Sequence, residues 1–227
     1  MKKGKLYGVG VGPGDKELLT LKALRILREA DIVAVPLMRS GARTAYKIVE
    51  EYIGDKEIIE FLIPMTKEPE KLEKNYSDIA DTLERYLSGG KNIAFITLGD
   101  VTVYSSYMQI NRRISERGYE TELIPGIPSF CAAAARLNMA LCERDEPLII
   151  LPANYNDIEQ QLDMKGTKVL MKASRQAGAV RDILDKKGLA RKAVMVECCG
   201  MENEKIYTDL NDMDEKSSYF SIFIVKD

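Results

Sequence analysis

The sequence predicts an α/β protein built as two units, and three observations predict it: short apolar runs alternate with amphipathic segments, glycine-rich turns follow several of those runs, and the last third is strand-rich. Lys5 to Val11 is an apolar run ending in glycines, and Glu17 to Ala30 carries Leu18, Leu21, Leu24 and Leu27 near helical spacing. A β-branched strand is expected from Asp31 to Leu37, a helix from Arg43 to Tyr52 and a strand from Glu57 to Ile63. The charged stretch Lys67 to Lys74 reads as a surface loop or helix start before an amphipathic helix from Tyr76 to Leu87, which Gly89-Gly90 stops. Strand Asn92 to Leu98, helix Tyr104 to Arg117 and strand Glu120 to Ile124 complete about five strands with helices between them, the pattern of an open, mostly parallel sheet.

Beyond Gly126 the pattern restarts with a helix at Ser129 to Leu137. Strands follow at Leu148 to Leu151, Lys168 to Lys172, Ala193 to Glu197, Lys205 to Tyr207 and Tyr219 to Val225, with helices at Ile158 to Leu162 and Gly178 to Lys187. The expected division is residues 1–122 for the first α/β domain and 123–227 for a second with a mixed sheet.

Composition narrows the function. At 227 residues with 45% hydrophobic and 30% charged side chains, the chain has the make-up of a globular protein. Its 33 basic and 35 acidic residues are spread evenly, with no basic block to meet a phosphate backbone, so nucleic acid is not an expected partner. Apolar runs such as Ile93 to Leu98 are far shorter than the roughly 20 residues that cross a bilayer, and no signal core follows the N-terminal lysines; a cytoplasmic protein without membrane contact is expected. Cys131, Cys142, Cys198 and Cys199 lack paired CxxC spacing, so no metal is assigned and reduced thiols are expected. The chain has no histidine, which removes the commonest general base and metal ligand.

Gly8-Val-Gly10-Val-Gly12-Pro-Gly14-Asp15 stands where a dinucleotide fingerprint would. Reading from Gly8, Gly10 or Gly12, the third glycine position holds Pro13, Asp15 or Glu17, and the second strand ends without a ribose-binding acid. A nicotinamide oxidoreductase is therefore disfavoured, and a tight turn capped by Asp15 accounts for most of the glycines. Thr97-Leu-Gly99-Asp100-Val-Thr102-Val-Tyr104-Ser105-Ser106 again follows a strand. There Asp100 can accept a hydrogen bond from a cofactor while Thr102, Ser105 and Ser106 cap the next helix, or Asp100 or Thr102 is simply an N-cap. Pro125-Gly126-Ile-Pro-Ser129 precedes the alanine run Ala132 to Ala135.

Together, Gly10-Val-Gly-Pro-Gly-Asp15, Gly99-Asp100-Val101 and Pro125 to Ser129 resemble the tetrapyrrole (corrin and porphyrin) methyltransferase family across essentially the whole chain. The resemblance implies a homodimer of two-domain subunits with S-adenosylmethionine (SAM) in a cleft between the domains, S-adenosylhomocysteine as product and a tetrapyrrole as acceptor. Leu98 to Met108, Ser129 to Arg136 and Leu151-Pro-Ala153 look like the branch that methylates C-20 of precorrin-2 or cobalt-factor II. The other readings are methylation at a different ring position, diphthine-type methylation of a protein, and a non-catalytic tetrapyrrole- or nucleotide-binding protein.

Carried over residue by residue, the resemblance places Pro13, Gly99, Asp100, Val103, Tyr104, Ser129, Phe130 and Met171 at the cofactor, Met171 reading equally as core. Arg39, Arg43, Lys47, Arg112, Lys172 and Arg175 are candidates for the substrate carboxylates, each also readable as a solvated surface charge. Val101 stands where the family usually has proline. Glu197-Cys-Cys-Gly200 departs from a Glu-Arg-(Gly/Ala)-Thr pattern, so no cofactor contact is carried onto Cys199. No residue is assigned as a catalytic base, and the choice between metal-free and cobalt-bearing substrate stays open.

Overall fold

Strand β1 (Lys5–Gly10) opens the first unit and runs into the glycine turn. In the computed structural model, which describes residues 2–37, 43–64, 66, 68–153, 157–173, 176–214 and 218–227, the chain divides into units Met1–Pro128 and Ser129–Asp227. After the turn the Asp15 carboxylate accepts from Glu17 N at 2.9 Å and starts a single 3-10 turn, Lys16–Leu18. The helix expected from Glu17 begins only at α1 (Leu21–Glu29), because the Thr20 hydroxyl accepts from Ala23 N at 3.1 Å and sets a new N-terminus. Strand β2 (Ile32–Leu37), helix α2 (Thr44–Ile53) and strand β3 (Glu57–Leu62) follow. Helix α3 (Pro69–Ser88) starts well before Tyr76, since proline in the first helical turn lacks only an N–H that would have no partner there. After β4 (Ile93–Thr97), α4 (Tyr107–Glu116) begins later than expected, because Tyr104 has φ 49°, outside the helical region. Strand β5 (Glu120–Ile124) ends the run.

The five strands pair in parallel in the order β3-β2-β4-β1-β5. One face packs α1 and α2 on Val9, Val33, Val35 and Ile96; the other packs α3 and α4 on Leu6, Ile32 and Phe95. Burial on both faces explains why the strands read as continuous apolar runs. From β1 the chain crosses one face toward β2; from β4 it crosses the other face toward β5, in the opposite direction. Adjacent β1 and β4 therefore flank the topological switch of the sheet, beside whose carboxyl ends open α/β sheets bind ligands.

Gly8 serves this packing. A Cβ there would fall 2.0 Å from Cε1 of Tyr107, whose ring lies buried against the strand with its hydroxyl donating to Asn111 Oδ1 at 3.2 Å. Phe95 lies 5.2 Å from the same ring, centroid to centroid.

The second unit contains α5 (Ser129–Arg136), β6 (Leu148–Pro152), α6 (Ile158–Gln161), β7 (Thr167–Met171), α7 (Ala177–Lys186), β8 (Ala193–Glu197), β9 (Lys205–Tyr207) and β10 (Ser221–Val225). Its sheet is mixed, in the order β6-β7-β10-β8-β9, with β6 and β7 parallel and the other pairs antiparallel. Leu170, Met195, Phe223 and Val225 meet α7 on one face, and α5 packs against β10. Within this core Lys168 is only 2% exposed, and its ammonium pairs with the Asp227 carboxylate, which also accepts from Gly166 N.

Gly8→Ala is expected to lose about 1–3 kcal/mol in urea denaturation through overpacking, with part of the loss recovered when Tyr107→Leu is added. At Asp227, the hydrogen bond from Lys168, helped by Gly166 N–H, holds the carboxyl below its ordinary value of 3.8. A lowered folded-state pKa contributes stability that is full above the unfolded value and lost as pH falls through the folded one. Asp227→Asn should therefore cost about 1–3 kcal/mol at pH 7, below the figure for a fully buried pair because Asp227 is half exposed. In calorimetric scans the gap from the parent protein should close as pH falls below 3.8.

Candidate functional site

At the carboxyl ends of β1 and β4 the parallel ladder turns into a short reversed contact. Val11 N donates to Thr97 O at 2.9 Å, Gly12 N to Gly99 O at 3.2 Å and Gly99 N to Gly12 O at 2.7 Å. The turn after β5 presses in beside it. A Cβ on Gly126 would lie 2.3 Å from Gly99 O, and one on Gly10 would lie 2.6 Å from Gly126 N, so three chain segments meet with room for no side chain. Asp100, 9% exposed, ties them together. Its Oδ1 accepts from Thr102 N at 2.8 Å and from the Thr102 hydroxyl, and its Oδ2 accepts from Gly126 N at 2.9 Å. Because α4 begins at Tyr107, neither Asp100 nor Thr102 caps it; Ser105 Oγ accepts from Tyr107 N at 3.3 Å instead.

The loop beyond Asp100 buries Val101 among the α3 and α4 side chains and leaves Val103 half-buried. Tyr104 is 42% exposed and held at φ 49°. A bulky residue kept in the left-handed region is strain that the surrounding structure must sustain, and such strain gathers at ligand sites. Thr97, the last residue of β4, has its hydroxyl oxygen buried with no hydrogen-bond partner. Side-chain-free backbone and a buried polar atom suit a ligand that lies close against the chain and carries hydrogen-bonding groups. Among the described residues no group of three or more Cys, Asp or Glu side chains is placed to hold a metal ion, and the four cysteines form no disulfide.

Residues 5–214 match the family described as Tetrapyrrole (Corrin/Porphyrin) Methylases. The chain belongs to that family. This tetrapyrrole methylase is 38% identical over 98% of its length to the "Probable cobalt-precorrin-2 C(20)-methyltransferase" of Methanocaldococcus jannaschii, spanning 96% of that protein. It is 30% identical over 98% of its length to the precorrin-2 C(20)-methyltransferase of a Sinorhizobium species, spanning 95% of it. In fold it is similar to a cobalt precorrin-4 methyltransferase, with TM-score 0.79 at 21% identity over 98% of this chain and 94% of the other. It is similar also to the uroporphyrin-III C-methyl transferase of Thermus thermophilus complexed with S-adenosylhomocysteine, with TM-score 0.72 at 20% identity over 99% and 98%.

Of the cofactor candidates, Pro13, Gly99 and Asp100 are brought together at the β1–β4 junction of the tetrapyrrole methylase, with Val103 and Tyr104 on the same loop. In the second unit Ser129 starts α5, Phe130 is buried and Met171 ends β7 at 9% exposure. Lys172 follows at φ 60°, half-buried, and burial lowers the pKa of its amine. Among the remaining cations, Arg43 pairs with Glu60 and lies 5.5 Å from the Tyr46 ring centroid. Lys47 is exposed on α2, and Arg112 is exposed on α4 beside Gln109. Arg39 and Arg175 lie outside the described residues.

Sequence reasoning did not assign Thr97, Gly10 or Gly126 to the site. A lone hydroxyl closing the apolar strand Ile93–Thr97 was the available signal for Thr97; the two glycines stood within motifs that carry the family resemblance, but nothing local showed their contact, which joins segments far apart in sequence.

If Asp100 is the tie between these turns, Asp100→Asn should destabilise the protein by about 1–3 kcal/mol in thermal unfolding, since the amide cannot accept from both Thr102 N–H and Gly126 N–H through separate oxygens. Thr102→Val, which removes only the hydroxyl bond, should cost less than about 1 kcal/mol.

Proposed function

We propose that this tetrapyrrole methylase transfers the methyl group of SAM to C-20 of precorrin-2 or cobalt-factor II in cobalamin biosynthesis. The observation that carries this is near full-length similarity to C(20)-methyltransferases at 38% and 30% identity, spanning at least 95% of each relative. SAM, when bound, supplies a methyl group on a sulfonium, and loss of that methyl to carbon leaves S-adenosylhomocysteine.

The chain's own contribution is placement and shielding. Gly10 and Gly126 let the segments after β1, β4 and β5 close into backbone contact, and Asp100 holds them in one arrangement for the cofactor. Val103 and the Tyr104 ring offer apolar surface that excludes water from the transfer, while Pro13 is buried in the turn after β1. Ser129, Phe130 and Met171 complete the cofactor set on the strength of the family resemblance. The substrate carboxylates call for cations, for which Arg39, Arg43, Lys47, Arg112, Lys172 and Arg175 remain the candidates; engaging Arg43 would compete with its pair to Glu60. With no histidine in the chain, the proton that leaves C-20 goes to a carboxylate or to water. Family resemblance also supports a cytoplasmic homodimer.

Anaerobic incubation with methyl-labelled SAM and either precorrin-2 or cobalt-factor II should place one labelled methyl at C-20 by NMR and mass. A label at another ring position, or transfer to neither acceptor, would overturn the assignment, and the faster acceptor identifies the metal state of the substrate.

A further inference from the structure

Thr97 closes β4 in register with Gly10 of β1, at the topological switch of the first unit's sheet. Alternation along β4 puts it on the same face as Ile93 and Phe95, the face over which Val101 and Tyr107 fold back. The residue is 6% exposed. Its carbonyl accepts from Val11 N at 2.9 Å, yet its hydroxyl oxygen is buried without a partner. A buried, unpaired hydroxyl is destabilising, and valine has nearly the same shape and a higher strand preference. Retaining threonine at this point of the strand is a local conflict of the kind that marks functional positions.

Two other described side-chain atoms are buried without a partner, Asn75 Oδ1 and Ser221 Oγ. Asn75 already uses its amide nitrogen on Leu62 O at 3.0 Å, at the end of edge strand β3. Ser221 opens β10, opposite Glu197. Neither stands at the carboxyl end of a parallel strand beside the switch. Thr97 does, beside the junction where Gly10 and Gly126 bring three backbone segments into contact.

We infer that Thr97 is a positioning residue of the cofactor site, whose hydroxyl forms the hydrogen bond it lacks when a polar group of SAM or S-adenosylhomocysteine is bound. This rests on the cofactor reading above. A group of this kind has opposite effects on the free and the loaded protein: removing it relieves the free chain and deprives the ligand of a partner.

Thr97→Val and Thr97→Ser, compared with the parent protein by thermal unfolding without ligand and by calorimetric titration with S-adenosylhomocysteine, test it. Thr97→Val is expected to unfold at the same or a higher temperature and to bind roughly 3- to 10-fold more weakly, while Thr97→Ser keeps affinity within about two-fold of the parent. A lower unfolding temperature for Thr97→Val would mean that the hydroxyl is already engaged in the free protein, and unchanged affinity would mean that it meets no ligand; either result overturns the inference. If the parent protein itself does not bind S-adenosylhomocysteine, the cofactor reading is what fails.

Discussion

The contact of Gly10, Gly99 and Gly126, stapled by Asp100, is the constraint on which the first unit's site depends. The ends of three different strands reach backbone distance here only because Gly10 and Gly126 carry no Cβ, and they stay there only if the donors that this approach buries find acceptors. Asp100 meets the second need. One oxygen serves its own loop through Thr102, and the other reaches Gly126 across the sheet end. A residue that its own sequence left open as a cofactor acceptor or a helix cap is thus the tie that shapes the site, and any ligand bond it makes is additional to that work.

The sheet gives this junction its place. Because the chain leaves β1 over one face and β4 over the other, no crossover covers the gap between their carboxyl ends. Gly8, one pleat earlier on β1, does a different job and admits the Tyr107 ring that anchors α4. One short glycine string therefore serves helix packing at its start and turn geometry further on, which explains why no single fingerprint register fits it.

Much of the fold was legible along the chain. Most described strands lie within or beside an apolar run, and the helices match their periodic segments apart from their starts, since patterns of local burial are written in local sequence. The starts of α1, α3 and α4 shifted for local reasons: the Thr20 cap, proline in the first turn at Pro69, and the left-handed backbone of Tyr104. The first two have sequence signatures that a stricter reading of capping would use. The third has none, because threonine, valine and tyrosine give no sign that the chain will hold a bulky residue at positive φ.

By itself the sequence determined the alternation of strands and helices, the parallel and mixed character of the two sheets, the absence of imidazole and the family. Which strands are neighbours, which glycine faces which backbone, and that Asp100 is spent on Gly126 while the Thr97 hydroxyl is left unpaired were decided only by the tertiary structure. The reason is physical: these are contacts between segments separated by 26 residues or more, as from Asp100 to Gly126, and hydrogen-bond accounting closes only once every partner is in place.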